Sequence, residues 1–177
     1  LWSVRRGVTR PARALAIAAV GLGVLLCVGG CGGSEGVGDG AAVSVYASQP
    51  LSGPEAAAGK AFCAAAGAEL RRAGGRAGEV RLKLVCLDDT GGSGRWRLAA
   101  VGANARRASE DSTAVAYLGE PQAAPARFSL PILEAAGIGQ LRGGSGTAAM
   151  AAVLRAVRDA GGTEDLRADV RSSLEAG

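Results

Sequence analysis

Between residues 43 and 141 four short apolar runs (43–46, 79–87, 114–118 and 138–141) alternate with three helix-patterned segments. No other feature restricts the fold as strongly. A strand, a helix and a second strand in close succession require the helix to cross over the sheet. Such crossovers join parallel strands with a right hand. The expected class is therefore α/β: a three-layer parallel sheet of about four strands, followed by two C-terminal helices. In the first unit Val43 and Val45 alternate with Ser44 and Tyr46, and a polar loop at 48–53 leads into a helix opened by Pro54 and Glu55. Ala73-Gly74-Gly75 closes that helix, glycine being suited to a left-handed cap. Ligands of open α/β sheets bind at the carboxyl ends of the strands, which makes this loop a candidate binding edge. The alternative is an ordinary βα turn in which Ser52-Gly53-Pro54 only caps the helix.

Past residue 141 the rhythm breaks. The segment 142–146, RGGSG, reads as a linker or seam. It precedes an amphipathic helix with Met150, Val153, Leu154 and Val157 at i, i+3, i+4 and i+7. A last short helix, capped by Thr163, carries Leu166, Val170 and Leu174.

At the other end, residues 1–13 hold Arg5, Arg6, Arg10 and Arg13 without an acid, and 14–28 are uninterruptedly apolar. That pattern is a secretory signal, too short for a comfortable membrane span. Val28-Gly29-Gly30-Cys31 resembles a bacterial lipobox, so residues 1–30 are expected to be removed and Cys31 to be acylated. A plain signal peptide with an incidental cysteine is the alternative. Residues 31–42 form a Gly-rich tether that would let residues 43–177 stand off a membrane. The chain starts at Leu1, which suggests a non-standard start or missing residues.

The formal charge of +4 comes wholly from the four arginines of that leader. Without them acids and bases balance, which removes the electrostatic basis for nucleic-acid binding. The absence of histidine excludes Ser/His/Asp and Cys/His catalysis and His-containing metal sites. No metal, cofactor or enzyme constellation is expected. Cys63 falls on the first helix and Cys86 on the strand that follows it. Because a crossover helix packs on the strands it joins, a disulfide is favoured in an exported, oxidising setting, with two buried thiols as the alternative. Asp88-Asp89 reads as a solvated strand end rather than a receiver-type or metal site. Gly-Gly-Ser-Gly at 91–94 and 143–146 matches neither a phosphate loop nor a nucleophile elbow.

The runs PLSGP followed after four residues by Gly, RRAGGRAGEVRLKLVCLDD, AVAYLGE and SLPILEAAGIGQL are similar in order and spacing to the N-terminal lobe of the leucine/isoleucine/valine-binding family. These are type I periplasmic binding proteins, the solute receptors of ABC importers. GTAAMAAVLRAVRDAGG and DLRADVRSSL resemble that family's C-terminal helix pair. The resemblance implies a lipid-anchored, extracytoplasmic receptor on the cell membrane for an amino acid or related small amide, working with an ABC permease. It jumps at 141–146 from the fourth strand to the late helix, so an internal deletion that removes the second lobe and impairs binding is expected. Candidate ligand contacts carried over from the resemblance are Ser52, Gly53 and Pro54 of the first loop and Glu120, Gln122 and Ala123 after the third strand. Ala123 stands where the family usually has a serine. A lipoprotein without a ligand or a decaying gene product, with a structural or interaction role only, is the alternative.

Overall fold

The structure is a computed structural model that describes residues 42–161 and 163–177. The signal segment, Cys31 and almost all of the Gly-rich tether lie outside the described residues. Strand β1 (Ala42–Gln49) leads to helix α1 (Ala56–Arg72), a two-residue strand β2 (Arg76–Ala77) and strand β3 (Val80–Asp88). Helix α2 (Leu98–Glu110), strand β4 (Ala114–Leu118), helix α3 (Ala123–Ala135) and strand β5 (Gly139–Leu141) follow. Helices α4 (Gly146–Ala160) and α5 (Leu166–Ala176) complete the chain.

The strands form one sheet in the order β2-β3-β1-β4-β5. All pairings are parallel except β2 with β3. β1 is the central strand, which is why Val43 through Gln49 are all buried despite the alternation of Val43 and Val45 with Ser44 and Tyr46. The two faces carry separate cores. On one, Val43, Val45, Leu82 and Val115 pack under Leu70 of α1, Met150, Val153 and Val157 of α4 and Val170 of α5. On the other, Tyr46, Tyr117 and Ile138 pack against Ala105 and Ala108 of α2 and Leu133 of α3. The three-layer α/β architecture is thus the one expected. β2 is an addition: Gly74 and Gly75 adopt φ of +68° and +71°, which turns the chain back as a short antiparallel edge.

Three local expectations are corrected. Ser48 and Gln49 belong to β1 and the loop starts at Pro50, because both residues continue the ladder to β3. The cap of α5 is Asp165, whose carboxylate accepts from Ala168 N at 3.1 Å, rather than Thr163. Gly146, placed in the linker by sequence, is the first residue of α4, where Ser145 caps by accepting from Ala148 N at 3.2 Å.

α5 is tied down by more than its apolar face. Arg167 donates to Ala136 O at 3.1 Å, Asp111 O at 2.9 Å and Ser112 O at 2.8 Å. Ala136 and Asp111 are the cap residues at the carboxyl ends of α3 and α2, where a cation meets both unsatisfied carbonyls and the negative end of the dipole. At the same end of the sheet the Asp111 carboxylate accepts from Ser44 and Tyr46, both at 2.8 Å, and from Thr113 Oγ1 at 2.6 Å. Burial alone would raise this carboxyl, but the hydroxyl and backbone donors outweigh it and hold it well below the usual range.

Candidate functional site

Helices α1 and α4 lie on one face of the sheet and α2 and α3 on the other. The connection from β1 therefore leaves to one side and that from β4 to the other. The two strands are neighbours, so a gap opens between the loops at their carboxyl ends. A crevice occupies that gap, with Pro50 after β1 on one rim and Pro121 and Gln122 after β4 on the other. Asp89, Glu55, Trp96 and Pro125 complete the lining. The crevice is a shallow one, about 200 Å³ when the open solvent above it is counted in, with room inside for only about one water.

Around it lies a network of buried and half-buried polar groups. Asp88 accepts from Leu51 N at 2.9 Å, Ser52 Oγ at 2.8 Å and Thr90 Oγ1 at 2.7 Å, which pins the loop after β1 to the end of β3. Burial would raise its carboxyl, but these donors prevail and hold it at about 2. Asn104 on α2 donates to Ser48 Oγ at 3.0 Å and to Asp88 O at 3.1 Å. Glu120 is fully buried; its carboxylate accepts from Tyr117 at 2.8 Å and from Ser129 at 2.5 Å. Burial first, and Glu120 second, push the Tyr117 phenol far above its ordinary value. Gln140 on β5 donates to Gly119 O at 2.6 Å and Ser129 Oγ at 2.9 Å.

Asp89 differs from all of these. It is 2% exposed, and among the described residues its Oδ1 has no hydrogen-bond partner. Burial, followed by the nearby Glu120, Asp88 and Glu55, pushes its carboxyl up from 3.8 to about 7. The solvated strand end read from the sequence is thus corrected: β3 delivers Asp88 and Asp89 beneath two loops, not into water.

The carried-over contacts are distributed unevenly. Gln122 lines the crevice and donates to Glu55 at 3.3 Å. Glu120 turns its side chain inward, onto Tyr117 and Ser129, instead of toward a ligand. The Ser52 hydroxyl is engaged by Asp88 and Thr90. Gly53 and Pro54 are exposed and face Gly94 rather than the crevice. Ala123 is exposed at the start of α3. Asp89 and Trp96 were not singled out as contacts by sequence; an acidic pair at a strand's carboxyl end was the available signal. Cys63 and Cys86 form a disulfide with Cα atoms 6.4 Å apart, on the face of the sheet that α1 and α4 cover. No group of three or more acidic or sulfur ligands is arranged for a metal among the described residues.

The pH dependence of Asp89 has a definite sign. Its raised value means that the folded state binds more protons than the unfolded state between about pH 4 and 7, so this residue erodes stability as pH rises through that window. Asp89→Asn is expected to stabilise the protein by about 2 kcal/mol at pH 8 and by almost nothing near pH 4. Urea denaturation at the two pH values tests this; equal effects at both would remove the buried-charge account. Asp88 acts oppositely, its contribution being present above about pH 4 and lost as pH falls toward 2.

No family model matches the sequence, and no curated protein matches it. Among solved structures the chain is similar to a protein from Rhodospirillum rubrum described as a branched-chain amino acid ABC transporter, at 25% identity and a TM-score of 0.50. The match covers 58% of this chain and 29% of that one. It is also similar in fold to a solute-binding protein of an ABC transporter from R. palustris in complex with 4-hydroxybenzoate (20% identity, TM-score 0.51, 58% and 27% covered). An ABC transporter substrate-binding protein from Sphaerobacter thermophilus is a third (19% identity, TM-score 0.50, 58% and 26% covered). The chain thus spans less than a third of the length of each. Its fold is that of a lobe of the type I periplasmic binding proteins.

Proposed function

We propose that this chain is the solute-binding component of an ABC importer, held at the outer face of the cell membrane by lipid on Cys31, and that it binds without catalysing. The observation that carries the reading is the crevice at the carboxyl ends of β1 and β4, where connections depart to opposite faces of the sheet. The resemblance to branched-chain amino-acid receptors and the described R. rubrum neighbour favour an amino acid or small amide as the solute. The shallow crevice and the passage from β5 straight into α4 fit a shortened receptor with millimolar rather than micromolar affinity. Among the described residues no helix is long and apolar enough to cross a membrane; the proposed anchor rests on the lipobox-like Val28-Gly29-Gly30-Cys31.

Thermal denaturation of the full chain with L-leucine, L-isoleucine and their D-enantiomers tests the reading. A ligand at tenfold its Kd adds about 1.4 kcal/mol to stability. Saturable, stereospecific stabilisation is expected, and none at millimolar ligand would refute it. One observation favours the second reading, a lipoprotein with an interaction role only: the Ser52 hydroxyl is already spent on Asp88 and Thr90. That reading predicts no stabilisation by any solute. The mass of the chain recovered from native membranes tests the acyl group on Cys31 separately.

A further inference from the structure

The crevice has collected acidic groups and no matching base. Asp89 lies at its base, almost wholly buried, with Oδ1 unpartnered among the described residues. Asp88 beside it is saturated by its own donors, and Glu120 behind it is satisfied by Tyr117 and Ser129. On the wall, Glu55 keeps an exposed carboxylate whose one contact among the described residues is the neutral amide of Gln122. The ion pairs of the described residues, Arg72 with Glu69, Arg76 with Glu79 and Arg171 with Glu175, all lie elsewhere. An unpaired buried carboxylate is costly, and the usual remedies are a cation or hydrogen-bond donors.

The rest of the lining says what kind of cation. Trp96 offers its indole, held by Phe128 at a centroid distance of 6.3 Å and an interplanar angle of 35°. Pro50, Pro121 and Pro125 supply aliphatic walls and no donors. A metal ion would want several converging oxygens, and no such group is present among the described residues. An organic cation wants what is here: carboxylate for its N–H groups, an aromatic face for its charge and apolar walls for its carbons. Asp89 and Glu55, both in the lining, would repel a carboxylate.

We infer that the crevice takes the ammonium head of a small organic amine, its charge met by Asp89 and Glu55 and its carbons laid against Trp96 and the proline rim. The inference rests on the solute-binding reading and names the end of the solute that this lobe recognises. An amine lacking any carboxylate should therefore bind, and a carboxylate lacking any amine should not.

The test is titration of the full chain at pH 8 with ethylammonium chloride, acetate and L-leucine, each against sodium chloride of equal ionic strength. Binding is read from the indole N–H resonance of Trp96, with Trp96→Phe used to assign it. Saturable shifts with ethylammonium are expected, weakened about tenfold by Asp89→Asn and again by Glu55→Gln. Glu79→Gln, in an ion pair elsewhere, should leave them unchanged. Since Asp89→Asn is expected to be the more stable protein at this pH, lost binding cannot be ascribed to unfolding. Binding of acetate without ethylammonium, or binding of L-leucine that Asp89→Asn does not weaken, overturns the inference and leaves the solute-binding reading standing. No binding of any of the three overturns both.

Discussion

Replacing Gly146 by alanine is expected to cost about 3 kcal/mol, although alanine is the better helix former and Gly146 opens α4. A Cβ there would lie 2.1 Å from Phe62 O and 2.9 Å from Ala66 N. Both are backbone atoms of α1, a helix packed on the sheet, so neither can move aside as a side-chain tip would. The cost is that of forcing two close-packed helices apart. Gly59 on α1 is held in the same way, its Cβ position being 2.1 Å from Pro50 O on the crevice rim. Gly67, on the same helix, is the control. The nearest atom to its Cβ position is Arg71 Nη1 at 3.4 Å, the end of a flexible side chain. Gly67→Ala is therefore expected to stabilise by up to about 1 kcal/mol. Urea denaturation of the variants settles the matter: equal effects at 146 and 67 would mean that α1 and α4 do not approach as described. Gly59→Ala would in addition displace Pro50 and distort the crevice.

Breaking the bond between Cys63 and Cys86 comes next in size. The two cysteines are 23 residues apart, and closing a loop of that length removes chain entropy from the unfolded state worth about 3 kcal/mol. The bridge ties α1 to β3 on the face where the first core lies. That core relies heavily on alanine, with Ala47, Ala66, Ala77, Ala116, Ala149 and Ala156 among its buried members. Each buries little area, so the cross-link contributes a large share of a modest net stability. A reductant should lower the urea midpoint of the wild-type chain and leave unchanged that of the double variant Cys63→Ala, Cys86→Ala. A wild-type midpoint indifferent to reductant would remove the bridge from the account.

The two effects bear on the crevice in different ways. Gly59 and Cys63 both lie on α1, but Gly59 places the rim directly, through Pro50, whereas the disulfide ties the helix to β3 one turn further along and neither cysteine lines the crevice, so its loss should leave ligand contacts alone wherever the chain stays folded. Comparing ethylammonium binding in Gly59→Ala and in the double cysteine variant therefore separates damage to the site from loss of global stability.

The order and type of the elements were legible because they are written in short-range pattern. The apolar run at 114–118 marks β4, Met150, Val153, Leu154 and Val157 mark the buried face of α4, and Gly74-Gly75 marks the end of α1. From these, with the rule of right-handed crossovers, the three-layer parallel architecture follows, and with it the end of the sheet where a solute would sit. What the order of residues could not settle is which polar side chains find one another. Asp88 meets Leu51 and Ser52 from 37 and 36 residues away, Asn104 meets Ser48 from 56 away, and Tyr46 meets Asp111 from 65 away. No local period encodes those partners, so the acidic pair at the end of β3 looked solvated and Glu120 looked available to a ligand. Burial under two loops made Asp89 an unpaired carboxylate and turned Glu120 inward to Tyr117 and Ser129. Local pattern determined the scaffold because backbone hydrogen bonding and apolar periodicity act over a few residues; the tertiary structure alone decided the site, because desolvation and charge depend on what distant segments bring to the same place.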